Sequence, residues 1–117
     1  MTDDTNQPQT QSLIQELRRG VIILAVMSQL HEEQYGYSLM KRLEAQGMQI
    51  DQGTLYPLLR RLEDQSLLDS IWRVEASRPR RYYKLNNYGE KVLDEMINEW
   101  SRIKKTVDDM LEKENVK

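Results

Sequence analysis

The stretch Gln52-Gly53-Thr54-Leu55-Tyr56-Pro57-Leu58-Leu59-Arg60-Arg61-Leu62-Glu63 decides how the rest of the chain is read. Its leucines stand at positions 55, 58, 59 and 62, the spacing of three and four that lines one side of an α-helix. Pro57 has no N–H to give, so it is tolerated best in a first turn. That makes Thr54 the expected N-cap and predicts a helix from about 52 or 55 to Gln65. With the leucines turned inward, Gln52, Thr54, Tyr56, Arg60 and Arg61 are left to face outward.

Upstream, a second helix is expected from about Tyr37 to Gln46, with Leu39, Met40 and Leu43 inward and Gly47 as its stop. The short turn between the two helices gives a helix-turn-helix outline. Before it, His31 to Gln34 reads as an acidic loop in which His31 is an exposed bystander. Ser12 and Gln15 resemble a capping box, and Leu13, Ile14, Leu17, Val21, Leu24, Met27 and Leu30 follow at helical spacing, predicting a first helix over 12–30. From Val21 to Met27 that helix is apolar all round, so one face needs a further partner. Residues 1–11 read as a disordered arm, with neither the positive start nor the apolar core of a signal peptide.

Downstream, Leu68, Ser70, Trp72 and Val74 alternate with Asp69, Ile71, Arg73 and Glu75, which predicts a strand. Ala76 to Pro79 reads as the turn and Arg80 to Leu85 as the returning strand, placing Arg78 and Arg80 astride Pro79 at the tip. Tyr82 and Tyr83 are strand neighbours and point oppositely, so one of them packs beneath the hairpin. Asn86 or Asn87 then caps a long helix reaching about Glu114. Along it Leu93, Met96, Trp100, Ile103, Val107 and Met110 recur at alternating spacings of three and four, the pattern of a helix–helix seam.

Helices, hairpin and seam together predict a mainly α fold with a small β-hairpin: a winged helix-turn-helix over 12–85, followed by a C-terminal dimerisation helix over 86–117. The charge distribution fits that outline. The 117 residues carry a formal net charge of −2, which by itself argues against nucleic acid. Yet between Arg73 and Lys84 five bases (Arg73, Arg78, Arg80, Arg81, Lys84) face the single acid Glu75, while the chain's two ends are acidic. The absence of cysteine excludes a disulfide, a cysteine nucleophile and a thiolate metal site, and one histidine cannot make a multi-histidine cluster. Catalytic residues, a metal and a cofactor are therefore not expected. The longest apolar run, Val21 to Met27, is far short of the roughly twenty residues of a membrane span, and a cytoplasmic location is expected.

The strings Tyr35-Gly36-Tyr37, Gly53 to Glu63 and Arg78-Pro79-Arg80-Arg81-Tyr82-Tyr83-Lys84-Leu85 resemble the PadR family of bacterial transcriptional regulators, in the right order over roughly residues 13–113. The chain departs from that pattern at Tyr35, Ser66 and Asn86, where the family usually has His, Gly and Thr. The single C-terminal helix and the segment Glu99-Trp100-Ser101-Arg102 resemble the short, multidrug-sensing branch of the family. That resemblance implies a site for a small aromatic or hydrophobic effector at a dimer interface, at Trp100 with Met96, Ile97 and Ile103.

The expectation is a homodimeric DNA-binding regulator, a repressor released by such an effector. Gln52, Thr54, Tyr56, Arg60 and Arg61 would meet a major groove, where Gln suits adenine and Arg suits guanine. Arg78, Arg80, Arg81 and Lys84 on the wing would meet the backbone or the minor groove. Tyr35 and Tyr37 are expected to pack rather than read. Val21, Leu24, Leu93, Trp100, Val107 and Met110 would form the dimer contact, and two symmetric readers require a palindromic double-stranded operator. The competing readings are a winged-helix module that binds another protein, or a small-molecule sensor without direct DNA readout.

Overall fold

The computed structural model describes residues 7–115, with side chains described as far as residue 112. The elements in order are α1 (Pro8–Ser28), β1 (Gln34–Tyr35), α2 (Gly36–Ala45), α3 (Gln52–Asp64), β2 (Leu68–Glu75), β3 (Arg78–Leu85) and α4 (Asn87–Asn115). This is the expected mainly α winged helix-turn-helix with a long C-terminal helix.

Helix α1 begins four residues before the expected start, so Pro8 to Gln11 are helical rather than part of an arm; residues 1–6 lie outside the described residues. Proline is well suited to the first helical position, because the N–H it lacks would have no intrahelical acceptor there. Gln7 is extended and its carbonyl accepts from the Gln11 N–H at 3.1 Å, which leaves Ser12 and Gln15 inside the helix instead of forming its cap. Helix α2 stops where expected: Gly47, at φ 97°, lets its own N–H reach the Glu44 carbonyl and that of Met48 reach Leu43. Helix α3 starts at Gln52 because Asp51, not Thr54, is the N-cap; the Asp51 carboxylate accepts from the Thr54 N–H at 2.8 Å. Pro57 thus falls in the second turn, opposite a Gly53 carbonyl that forgoes its usual helical bond.

The sheet has three antiparallel strands in the order β1-β3-β2, one more than the hairpin expected. Strand β1 comes from the supposed acidic loop and pairs Gln34 with Tyr83 and Tyr35 with Tyr82. The β2–β3 ladder is unbroken from Leu68 opposite Leu85 to Glu75 opposite Arg78, which shortens the turn to Ala76 and Ser77. Both turn residues are left-handed, at φ 50° and 64°, as a two-residue turn matching the twist of the strands requires. Arg78 and Pro79 therefore belong to β3. Pro79 opposes Val74, one pair beyond the hydrogen-bonded Glu75–Arg78 pair, so its nitrogen points away from β2 and no ladder bond is lost.

The core is largely leucine: Leu39 and Leu43 of α2 meet Leu55, Leu59 and Leu62 of α3, closed over by Val26, Met27, Leu30, Leu68, Tyr83, Leu85 and Leu93. Tyr83 packs beneath the wing and Tyr82 lies on the other face, its ring edge-on to Tyr35 at 5.3 Å. His31 is not a bystander, since its Nδ1 lies 2.8 Å from Glu90 and ties the loop after α1 to the first turn of α4. Asn86 caps α4 by accepting from the Gly89 N–H at 2.8 Å. At Gly89 the helix runs against the Leu67 carbonyl so closely that a Cβ would stand 2.1 Å from its oxygen. The root of α4 is thereby packed directly against the backbone that leads into the wing.

Both end helices then leave this core. The radius of gyration is 17.4 Å, against about 13 Å for a compact chain of this length, and the long dimension is 61 Å. On α1 the core-facing stripe runs through Ile22, Ile23, Val26 and Leu30, while Leu13, Ile14, Leu17 and Val21 lie on the opposite side, with Leu17 76% exposed; Leu24, expected at an intersubunit contact, packs partly against its own core. On α4, Leu93 is fully buried in its own chain, so it is a core residue and not the expected intersubunit contact. Met96 packs partly against the same core, whereas Trp100, Ile103, Val107 and Met110 continue the stripe into solvent.

Candidate nucleic-acid interface

Four buried leucines fix the rotation of α3, and everything else about the site follows from that rotation. Arg60 and Arg61 are both exposed, but adjacent helical residues are turned about 100° apart, so they serve different flanks. Arg60 faces the wing. Together with Tyr56, Tyr35, Gly36, Trp72, Pro79, Arg80 and Arg81 it lines a cleft of about 380 Å³ between α3 and the β2–β3 ladder. Arg61 faces α1, where with Thr54, Pro57, Leu58, Arg19, Ile22 and Ile23 it lines a second hollow of about 280 Å³. Gln52 is exposed at the first turn.

Two of the residues expected to read DNA are committed elsewhere. Tyr56 is half-buried with its ring laid on Gly36, where a Cβ would stand 1.9 Å from the ring; glycine is what allows α2 and α3 to approach there. Thr54 serves the cap: its hydroxyl and then its N–H donate to Asp51 and hold that carboxyl below the ordinary aspartate value.

The wing arginines divide in the same way. Arg81 donates from Nη2 to Glu63 at 2.6 Å and from Nε to Ser70 at 3.1 Å, and its guanidinium lies 5.8 Å from the Trp72 ring and 5.5 Å from that of Tyr83. It fastens the wing to α3. Arg80 lies 4.5 Å over the Tyr35 ring and 3.7 Å from Glu75, and Arg73 pairs with Glu33 at 2.8 Å while lying over Tyr82. Tyr82 donates its hydroxyl to Glu75, a bond that pushes its ionisation up, while burial does the same for Tyr83; both phenols remain protonated at neutral pH. Arg78 and Lys84 are exposed and, like Arg60 and Arg61, make no ion pair among the described residues. Trp72 lines the cleft between α3 and the ladder and is 63% exposed; it shares a sheet face with Leu68 and Ser70, and exposure on that face grows toward the hairpin tip, which alternation alone does not specify.

Tyr35 packs as expected, whereas Tyr37 is half exposed beneath the ammonium of Lys41. At the far end of the molecule Trp100, Ile97 and Ile103 lie open along α4, and the shallow hollow beside them is lined by Glu99, Arg102, Ile103, Thr106 and Val107 without Trp100.

Residues 23–95 match the family described as the transcriptional regulator PadR-like family. A transcriptional regulator of Mycobacterium tuberculosis is 35% identical over 83 residues, covering 70% of this chain and 78% of its own. Among solved structures, a PadR family transcriptional regulator from Eggerthella lenta is 42% identical at a TM-score of 0.85, covering 94% of this chain and 98% of its own. A PadR-like transcriptional regulator from Bacillus cereus is 27% identical at a TM-score of 0.72, covering 82% and 96%.

Proposed function

The chain belongs to the PadR-like family of transcriptional regulators, and on that premise we propose that it is a homodimeric repressor that binds a palindromic DNA operator and is released by a small aromatic or hydrophobic effector. One observation carries the reading. The outer surface of α3 offers Arg60 and Arg61, which have no ion pair among the described residues, beside a wing in which Arg73, Arg80 and Arg81 are held by Glu33, Glu75 and Glu63 and Arg78 stays exposed. A helix about 10–12 Å across fits a major groove about 12 Å wide. Arg60 reads one base edge and Gln52, about 12 Å away along the helix, another, and Arg78 and Lys84 hold the neighbouring backbone.

Dimerisation follows from the two apolar faces that the core leaves open, Leu13, Ile14 and Leu17 on α1, continued by half-buried Val21, and Trp100, Ile103, Val107 and Met110 on α4. Burying them against a second copy sets two recognition helices on half-sites about 10 bp apart or a multiple of that. An effector lodged by Trp100, with Ile97 and Ile103 beside it, changes that separation, a coupling of about 1–3 kcal/mol. No helix among the described residues is long and apolar enough to cross a membrane, and we place the protein in the cytoplasm with its DNA.

The test is a titration of DNA from the protein's own upstream region over a range of salt. Log affinity should fall against log salt with a slope near −0.9 per phosphate contacted, about −5 for six contacts per dimer. A flat line sinks the reading and leaves the winged helix as a protein-binding or small-molecule-sensing module.

A further inference from the structure

We propose that Arg19 of α1, together with Arg61 of α3, forms a seat for the phosphates of the second DNA strand, on the flank of the recognition helix opposite the wing. This rests on the DNA-binding reading above and adds a residue that reading does not contain. A helix that fills a major groove has a sugar–phosphate wall on each side of it. The wing covers one side. Among the described residues the other is flanked by α1, through the hollow of about 280 Å³ lined by Arg19 and Arg61 with Ile22, Ile23, Pro57 and Leu58.

The placement of Arg19 follows from helical geometry. It precedes Ile22 and Ile23 by three and four residues, so it lies on the stripe that carries Val26 and Leu30 into the core, one turn beyond the point where that stripe is covered. Ile14, Leu17 and Val21 lie on the opposite side of α1, so a subunit docked on them leaves Arg19 open. Neither Arg19 nor Arg61 has a carboxylate partner among the described residues. Two guanidinium groups converge on an apolar floor, and an anion between them replaces repulsion with attraction while the floor accepts the apolar side of a deoxyribose.

The experiment compares wild type, Arg19→Ala, Arg19→Lys and Arg61→Ala by fluorescence anisotropy on DNA from the upstream region across 0.05–0.3 M KCl, roughly the range over which such contacts are titrated by salt. Arg19→Ala should weaken every sequence alike, by about eightfold per contact at 0.1 M salt, and should flatten the slope by about 0.9 per contact or 1.8 per symmetric dimer. Arg19→Lys keeps the charge and should restore most of both; sedimentation and circular dichroism should match wild type for all variants. An unchanged slope in Arg19→Ala, or a loss confined to one base pair, overturns the proposal while wild-type binding leaves the DNA reading standing. Absence of salt-dependent binding in wild type overturns the DNA reading itself, and this seat with it.

Discussion

Arg81 donates from Nη2 to Oε1 of Glu63 at 2.6 Å, joining the middle of β3 to the last turn of α3. An arginine in a basic string thus orients the wing instead of offering its charge to a ligand. Arg81→Ala should lower stability by about 1–2 kcal/mol, the value of a charge-assisted contact that is still partly solvated. Arg78→Ala should leave stability unchanged and weaken DNA binding. Urea melts of both variants check this, and equal melts would refute the division of roles.

Ser66 occupies the position after the α3 cap at φ 65°, where its N–H reaches the Glu63 carbonyl and that of Leu67 reaches Leu62. Ser77 is left-handed in the wing turn at φ 64°. A side chain at such a position costs about 1–2 kcal/mol, partly offset in glycine by about 0.5–1 kcal/mol of backbone entropy. Ser66→Gly and Ser77→Gly should each stabilise by about 0.5–1 kcal/mol and add independently, measured as a rise in urea midpoint at constant slope.

The cap of α3 titrates. Hydrogen bonds from Thr54 lower the Asp51 pKa in the folded chain, so the folded value lies below the unfolded one. The associated stability is complete above the unfolded aspartate value of about 3.9 and is lost as the pH falls through the folded value. Asp51→Asn retains an acceptor for the Thr54 N–H but not this dependence. The two proteins should therefore differ at pH 6 and converge as the pH falls through the folded Asp51 value, whereas Asp51→Ala should be less stable than Asp51→Asn throughout. Thermal melts at several pH values decide it, and a constant gap between wild type and Asp51→Asn would be the contrary result.

Ile103 and Val107 lie beyond the core on α4 and do nothing for the isolated subunit. Ile103→Glu with Val107→Glu should leave the helical content intact, convert the protein to a monomer by sedimentation equilibrium, and reduce operator affinity at least tenfold by removing the second reading head. A dimer that survives both charges would place the interface elsewhere.

How much of this was legible in the sequence depends on how local each signal is. The leucine stripe of α3 and the stop at Gly47 are set by residues within a turn or two and are read from spacing, and the cap of α4 is narrowed in the same way to Asn86 or Asn87, of which Asn86 makes the bond. Strand β1 is not, because two residues carry no alternation and exist as a strand only by pairing with Tyr82 and Tyr83. Pro8 and Pro79 are expected in an arm and in a turn, but one sits where a helix start has no N–H to satisfy and the other turns its nitrogen out of the ladder. The rotation of α3 placed Arg60 and Arg61 outside correctly. Their assignment to opposite flanks, the capture of Arg81 by Glu63 and the approach of Arg19 all depend on which element packs beside which, and no spacing within one helix encodes that.

The contact of Gly89 with the Leu67 carbonyl leaves no slack between α4 and the segment that carries the wing. In the proposed dimer the gap between reading heads is then set by how the two α4 helices pair, and without effector it has one value. Each base pair inserted between half-sites shifts one of them by about 3.4 Å and rotates it by about 34°. Such a protein would reject misspaced operators before any base is compared, so that spacer length acts as a first filter on the genome and base sequence as the second.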